Sequence, residues 1–234
     1  MPLAVVTGAS RGLGRALTLA LAERGWSLVV DGRDPSALAV AADALHAAGS
    51  PTVQAVPGDV ADPEHRERLV AATQQLGDVD LLVNNASHLG PSPQPALADY
   101  PPAELQRVYA VNTLAPVALT QALLPQLLAA RGRVVNVTSD AAVEPYAGWG
   151  GYGSSKAALE QITAILAAEQ PMLRVYAFDP GDMRTRMHQD AFPGEDISDR
   201  PEPDTVVPAL LRLVEEDLPG GRLRAADLNA PVRA

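Results

Sequence analysis

Short apolar runs alternate with longer segments of helical spacing along almost the whole chain. Leu3 to Val6, Ser27 to Val30, Thr52 to Val56, Val79 to Val83, Gly132 to Thr138 and Leu173 to Phe178 are each four to seven residues long and rich in valine and leucine. Runs of that length and character read as strands buried on both faces. A seventh strand is expected over Arg222 to Leu228. Between these runs, Arg15 to Arg24, Ala37 to Ala48, Pro63 to Leu76, Ala103 to Ala130, Ser154 to Glu169 and Thr205 to Glu216 read as helices. Pro63 near a start and Gly77 past an end suit helix termini. Pro116, inside the longest of them, is expected to kink it or end a segment of it. Strand–helix alternation of this kind predicts an α/β fold, a doubly wound parallel sheet of about seven strands with helices on both faces. Two stretches fall outside the alternation. Gly90 to Pro102 holds five prolines and reads as a loop, and residues 183–204 are polar and irregular, as expected of a substrate lid over the sheet edge.

Composition narrows the picture. With 234 residues, 47% of them hydrophobic and 20% charged, the chain suits a single domain spanning 1–234. A net charge of −10 argues against a general nucleic-acid surface, so an anionic ligand needs local positive charge. No cysteine is present, which removes disulfides and thiol catalysis, and the four histidines show no metal-ligand spacing, so no metal is expected. The apolar start lacks a basic region and is too short to span a bilayer; a cytoplasmic protein without a membrane partner is expected.

The chemistry starts at the first strand–helix junction, Thr7-Gly8-Ala9-Ser10-Arg11-Gly12-Leu13-Gly14. Glycines allow a tight turn and close approach to a ligand, and the following helix offers free N–H groups and a positive dipole end. This is a pyrophosphate seat of Rossmann type, with Gly-x-x-x-Gly-x-Gly spacing. Past the second strand stands Asp31-Gly32-Arg33. Asp31 as a ribose ligand favours NAD; Arg33 against a 2′-phosphate favours NADP. Guanidinium–phosphate pairing, with Arg11 as a second cation, tips the reading to NADP(H) over NAD(H). Farther on, Tyr152 and Lys156 lie one helical turn apart, and Ser139 closes a strand. A phenol has an ordinary pKa of about 10, and an adjacent cation is expected to lower it. Serine and phenol together can hold and protonate a carbonyl oxygen.

In these motifs and their order the chain resembles the short-chain dehydrogenase/reductase family. The resemblance implies that Gly8, Ser10, Arg11, Gly12, Leu13 and Gly14 form the cofactor turn, that Asp59 and Val60 flank the adenine, and that Asn84-Asn85-Ala86 steadies the sheet, with Asn85 and Ala86 against the cofactor. It further implies a catalytic tetrad of Asn112, Ser139, Tyr152 and Lys156. Lys156 is expected to hold the nicotinamide ribose and Asn112 a water that resupplies the proton. Pro180, Gly181, Met183 and Thr185 would border the nicotinamide. Within the family, Glu144 to Trp149, Ser87 to Gly90 and Ala168 to Val175 resemble the sepiapterin reductase branch. That implies NADPH-dependent reduction of a ketone, aldehyde or dicarbonyl. The alternatives are an NAD-dependent alcohol or sugar dehydrogenase and a non-catalytic NADP-binding module. Leu89, Val143, Tyr146, Trp149, Met183 and Met187 are expected to wall the pocket for a small-molecule carbonyl substrate. Ser87 stands where the family usually has glycine, which adds a Cβ beside the nicotinamide that the site either tolerates or is narrowed by. The ending from Gly220 to Ala234 lacks the glycine-rich form common in the family's tetramers, so a homodimer is expected, with the tetramer as the alternative.

Overall fold

The computed structural model describes residues 1–229. Strands β1 (Leu3–Val6), β2 (Ser27–Gly32), β3 (Val53–Pro57), β4 (Leu81–Asn84), β5 (Arg133–Val137), β6 (Arg174–Asp179) and β7 (Gly221–Arg224) form one sheet in the order β3-β2-β1-β4-β5-β6-β7. Every pairing is parallel. The order reverses between β1 and β4, which opens a crevice at the C-terminal ends of those strands. Helices α1 (Gly12–Ala22), α2 (Pro35–Ala47), α3 (Pro63–Gln74), α4 (Pro102–Tyr109), α5 (Ala115–Ala130), α6 (Gly150–Glu169), α7 (Arg186–Ala191), α8 (Val207–Glu215) and α9 (Ala225–Asn229) accompany the sheet.

Why these runs become strands is visible in their burial. All residues of β1, β2 and β4 are buried, so side chains pointing to either face meet helices rather than water. One core layer joins Ala4, Val6, Leu28 and Val30 to Leu13 and Leu17 of α1 and to Leu210 and Leu213 of α8. The opposite layer joins Leu3, Val5, Val29 and Leu82 to Leu69 of α3 and to Leu119, Leu123 and Leu127 of α5. Asp34 and Asp62, each just ahead of a proline, cap α2 and α3, Asp34 accepting the N–H groups of Ser36 and Ala37 and Asp62 that of Glu64.

The long apolar segment is continuous from Pro102 to Ala130, but a π turn at Ala110–Leu114 divides it, and Pro116 falls in the first turn of α5 just beyond. The segment has the length and apolarity of a membrane span, yet Leu119, Leu123 and Leu127 on its inner face are fully buried against the sheet. Two expectations need correction. The last strand ends at Arg224, not Leu228, because Ala225 to Asn229 turns into a short helix. Helix α6 begins at Gly150, ahead of Tyr152, despite its three early glycines. From Ala230 to Ala234 the expected ending lies outside the described residues.

Candidate active site

The glycine turn sits where β1 meets α1. Gly8 adopts φ 68°, a left-handed conformation that a side chain strains. Thr7 and Asn85 hold the turn from below. The Thr7 hydroxyl accepts the N–H groups of Asn85 and Ala86 at 3.0 Å each, and Asn85 Nδ2 donates to the carbonyls of Thr7 and Gly8 at 2.9 and 3.1 Å. Helix α1 has no side-chain cap and no acidic residue in its first turn, so its N–H groups face outward. A side chain built at Gly12 would meet only Thr185, at 3.6 Å, which leaves a cradle between the turn and the loop after β6. An anionic pyrophosphate fits that cradle on size, dipole and donor supply. Arg11 and Arg33 are exposed beside it, and neither forms an ion pair among the described residues.

Asp31 does not face the cradle. Its side chain is buried, with Oδ1 accepting the Gly8 N–H at 2.6 Å and Oδ2 3.0 Å from His65 Nε2. Asp59 follows β3, within electrostatic reach of Arg33. Burial works to raise its pKa, but hydrogen bonds from the Ala61 N–H and the Arg107 guanidinium outweigh that and hold the carboxyl below its usual range. Val60 beside it is buried. Arg107, on α4, escaped the sequence reading because its partner lies far away in the chain.

Three of the four tetrad residues converge. Ser139 follows β5, and its hydroxyl donates to Asp140 Oδ1 at 2.9 Å and accepts the Ala141 N–H at 3.2 Å. Tyr152, in the first turn of α6, is 8% exposed. Desolvation pushes its phenol up to about 12, aided by the Asp140 and Asp179 carboxylates, while the Ser87 and Ser139 hydroxyls pull it back down. Lys156, one turn on, is 2% exposed and donates to the Val137 carbonyl at 2.7 Å, with its amine 5.6 Å from the Tyr152 ring centroid. Burial depresses that amine to about 8. The expectation that the lysine lowers the phenol pKa is therefore corrected for this state. The amine lies over the ring with one hydrogen on a carbonyl, and shared burial disfavours both charged forms. A phenol at about 12 is protonated near neutral pH but is a weaker acid than a free one, so its place beside Ser139 and Ser87, not its pKa, recommends it as a donor.

Asn112 is buried in the π turn. Its Oδ1 accepts the His88 N–H at 2.7 Å and the Ser87 hydroxyl at 3.2 Å, and its Nδ2 donates to the His88 carbonyl at 2.9 Å and to Ser155 Oγ at 3.0 Å. All four hydrogen-bonding positions of the amide are used. The side chain thereby fastens the loop after β4 to α6. Through that loop Asn112 places Ser87 against the phenol. Ser87, noted in the sequence only as a departure from glycine, belongs to the site, and its place after Asn-Asn-Ala was the available signal.

The expected pocket wall divides. Leu89, Ala141 and Tyr152 form a small buried cluster, against which Trp149, Met187 and Ala191 pack. Trp149 meets Tyr152 edge-on at 5.8 Å and Phe192 at the same separation. Ala141, Ala191 and Phe192 were missed. Tyr146 and Val143 are instead half exposed, with the Tyr146 hydroxyl donating to Asp140 at 2.9 Å. Met183 is turned away from this cluster and packs on the core layer beneath α1 and α8. Thr185 caps α7, accepting the His188 N–H at 3.2 Å.

Beneath the site runs a brace that sequence spacing does not announce. Arg222 of β7 donates to Glu160 of α6 at 3.0 Å and to Asp179 at the end of β6 at 2.8 Å, and it reaches the Ser139 carbonyl at 3.5 Å. Glu160 also accepts the Thr138 hydroxyl at 2.7 Å, and Asp179 accepts the Gly181 N–H at 3.0 Å. The loop holding Ser139 and the turn at Pro180–Gly181 are thus tied to one guanidinium.

Known proteins agree with this architecture. The family profile described as short chain dehydrogenase matches residues 2–196. Sepiapterin reductase of Meriones unguiculatus is 35% identical over 198 residues, covering 79% of this chain and 75% of that protein. The 1-deoxy-11-beta-hydroxypentalenate dehydrogenase of Streptomyces exfoliatus is 38% identical over 192 residues, covering 80% of this chain and 69% of that protein. Among solved structures, a short chain dehydrogenase from Shigella flexneri 2a str. 301, complexed with NADP, superposes with a TM-score of 0.90 at 31% identity, covering 96% of this chain and 97% of that one. On fold, site and likeness together, the chain belongs to the short chain dehydrogenase family and is an NAD(P)-dependent oxidoreductase.

Proposed function

We propose that the protein reduces a ketone, aldehyde or dicarbonyl to an alcohol with NADPH, with Tyr152 as the proton donor. The observation that carries this reading is the buried, neutral Tyr152 phenol beside the Ser139 and Ser87 hydroxyls, under an apolar wall of Leu89 and Trp149. Bound reduced nicotinamide supplies the hydride. On substrate binding the Ser139 hydroxyl turns from Asp140 to the carbonyl oxygen, the Tyr152 phenol donates to the same oxygen, and the phenol passes its proton as negative charge develops there. Lys156 holds the nicotinamide ribose, and Asn85 and Ala86 border the cofactor. Residues 183–204 act as the lid, with Met187 of α7 packed against the Leu89, Ala141 and Tyr152 cluster.

The preference for NADPH rests on Asp31 and Arg33. Asp31 is fully engaged in the interior and offers no acceptor to a ribose hydroxyl, whereas Arg33 is exposed and unpaired among the described residues. The solved relative from Shigella flexneri that is complexed with NADP supports the same choice. The preference also counts against the NAD-dependent alternative.

Turnover of a panel of aldehydes, ketones, diketones and pterins, followed by nicotinamide absorbance, tests the reading. Tyr152→Phe should lower kcat by at least about a hundredfold while leaving NADPH affinity near the wild-type value. Near-normal turnover by that variant would refute the proposed proton donor. NADPH binding without turnover of any carbonyl would favour a non-catalytic binding module.

A further inference from the structure

Asp31 and His65 form the most deeply buried pair of titratable groups described in the chain, with side-chain exposures of 2% and 0%. They lie apart from the reacting groups, and the proposed chemistry does not use them. Asp31 Oδ1 accepts the Gly8 N–H at 2.6 Å, and the Asp31 carbonyl accepts the Ala9 N–H at 2.9 Å. Both bonds hold the start of the glycine turn. Asp31 Oδ2 is held in turn by His65 Nε2 at 3.0 Å. The Arg68 guanidinium approaches His65 Nδ1 at 3.3 Å. An arginine can only donate, so Nδ1 is an acceptor and Nε2 carries the proton toward Asp31. The imidazole's orientation is thereby fixed at both nitrogens. Room for it comes from Gly58, where a Cβ would overlap the ring.

The sheet does not need this arrangement. β2 pairs with β3 through the backbone from Leu28 to Gly32, whatever side chain stands at position 31. What the pair controls is the rotation of the Asp31 carboxylate, and through it the placement of Gly8. We propose that His65 is a positioning residue for the dinucleotide seat, acting through Asp31 on the Gly8 amide. The inference rests on the reading of the glycine turn as that seat. Without the Nε2 donor, Oδ2 is left buried and short of a partner, the carboxylate turns to find one, and the bond to Gly8 slackens. The turn that carries Ser10 to Gly12 then loses its preset shape.

NADPH titration, read by quenching of protein fluorescence, tests this on the full chain. His65→Leu should weaken NADPH binding about tenfold. His65→Gln, whose amide N–H can reach Asp31, should restore affinity to within about threefold, with kcat at saturating NADPH unchanged in both. Should His65→Leu fail to fold, His65→Phe supplies a ring without a donor and should show the same tenfold loss. Unaltered affinity in a folded donor-less variant would overturn the proposal. Equal losses in the leucine and glutamine variants would also overturn it, since they would mark simple packing. Failure of the wild-type protein to bind NADPH would overturn the dinucleotide reading itself, and the role of His65 with it.

Discussion

Gly153 follows Tyr152 directly, and its substitution by alanine tests whether the site depends on a close approach of two segments. A Cβ at position 153 would lie 2.6 Å from the Ala141 carbonyl oxygen. Ordinary contact begins near 3.4 Å, so the turn at Asp140–Ala142 or the start of α6 must yield by 3.4 − 2.6 = 0.8 Å. The obstacle is backbone, which cannot swing aside as a flexible side chain would. That turn is the one Ser139 caps, and α6 carries both Tyr152 and Lys156. The displacement therefore falls on the separation between the serine and the phenol. A misplacement of about 1 Å can cost about a hundredfold in rate, so Gly153→Ala should lower kcat by roughly 30- to 100-fold. Stability should change far less. Alanine gains about 1 kcal/mol in a helix interior, against about 1–3 kcal/mol for overpacking, so the net loss should stay under about 2 kcal/mol. Steady-state reduction of a carbonyl at saturating NADPH, with urea unfolding and NADPH titration in parallel, separates these effects. A variant that folds and keeps kcat within threefold of wild type would refute the argument that glycine here sets the Ser139–Tyr152 geometry.

Arg33→Ala should weaken NADPH binding about tenfold or more while changing NADH affinity little, as measured by parallel titrations. Tyr100→Phe should leave stability unchanged or raise it by up to about 1 kcal/mol in urea unfolding, because the hydroxyl, wedged between Gly90 and Gly151, is buried without a partner. Lys156 should make stability depend on pH. Its amine titrates at about 8 when folded against an ordinary 10.5, so the unfolded chain binds the extra proton between those values. Burial of Lys156 then costs about 3 kcal/mol below pH 8, and stability climbs as pH rises from 8 toward 10. Above pH 10 the rise is opposed, because Tyr152 stays protonated to about 12 in the folded state. Lys156→Met should abolish the climb in urea midpoints measured from pH 7 to 10.

Much of the architecture was legible because it rests on local signals. Six strands announced themselves as apolar runs, since a sheet covered on both faces needs no polar alternation. The tetrad and the glycine turn were legible by residue type and spacing, and the placement of Ser139, Tyr152 and Lys156 at one sheet edge follows from the topology. β7 was misjudged because two arginines break its apolar pattern, and the chain after it coils rather than extends. The start of α6 was obscured by glycines whose poor helix propensity is overridden by packing against Ala141 and Tyr100. The direction of the Tyr152 pKa depends on how much water is excluded, a property of the assembled site. Asp31 and His65 stand 34 residues apart, and Arg222 meets Ser139 across 83; no periodicity reports such partners.

The Arg222 brace also bears on how the molecule keeps to itself. Among the described residues β7 is an edge strand of four residues, and an open edge offers unpaired backbone groups to any passing strand. An edge is least inviting when it is short and carries charge turned inward, and Arg222 meets both conditions, with its guanidinium committed to Glu160 and Asp179 beneath the sheet. A foreign strand docking there would have to settle beside an arginine that cannot leave without stranding two carboxylates. The residue that steadies the chemistry thus also discourages aggregation along the sheet, and its loss should surface as precipitation on storage as well as slower turnover.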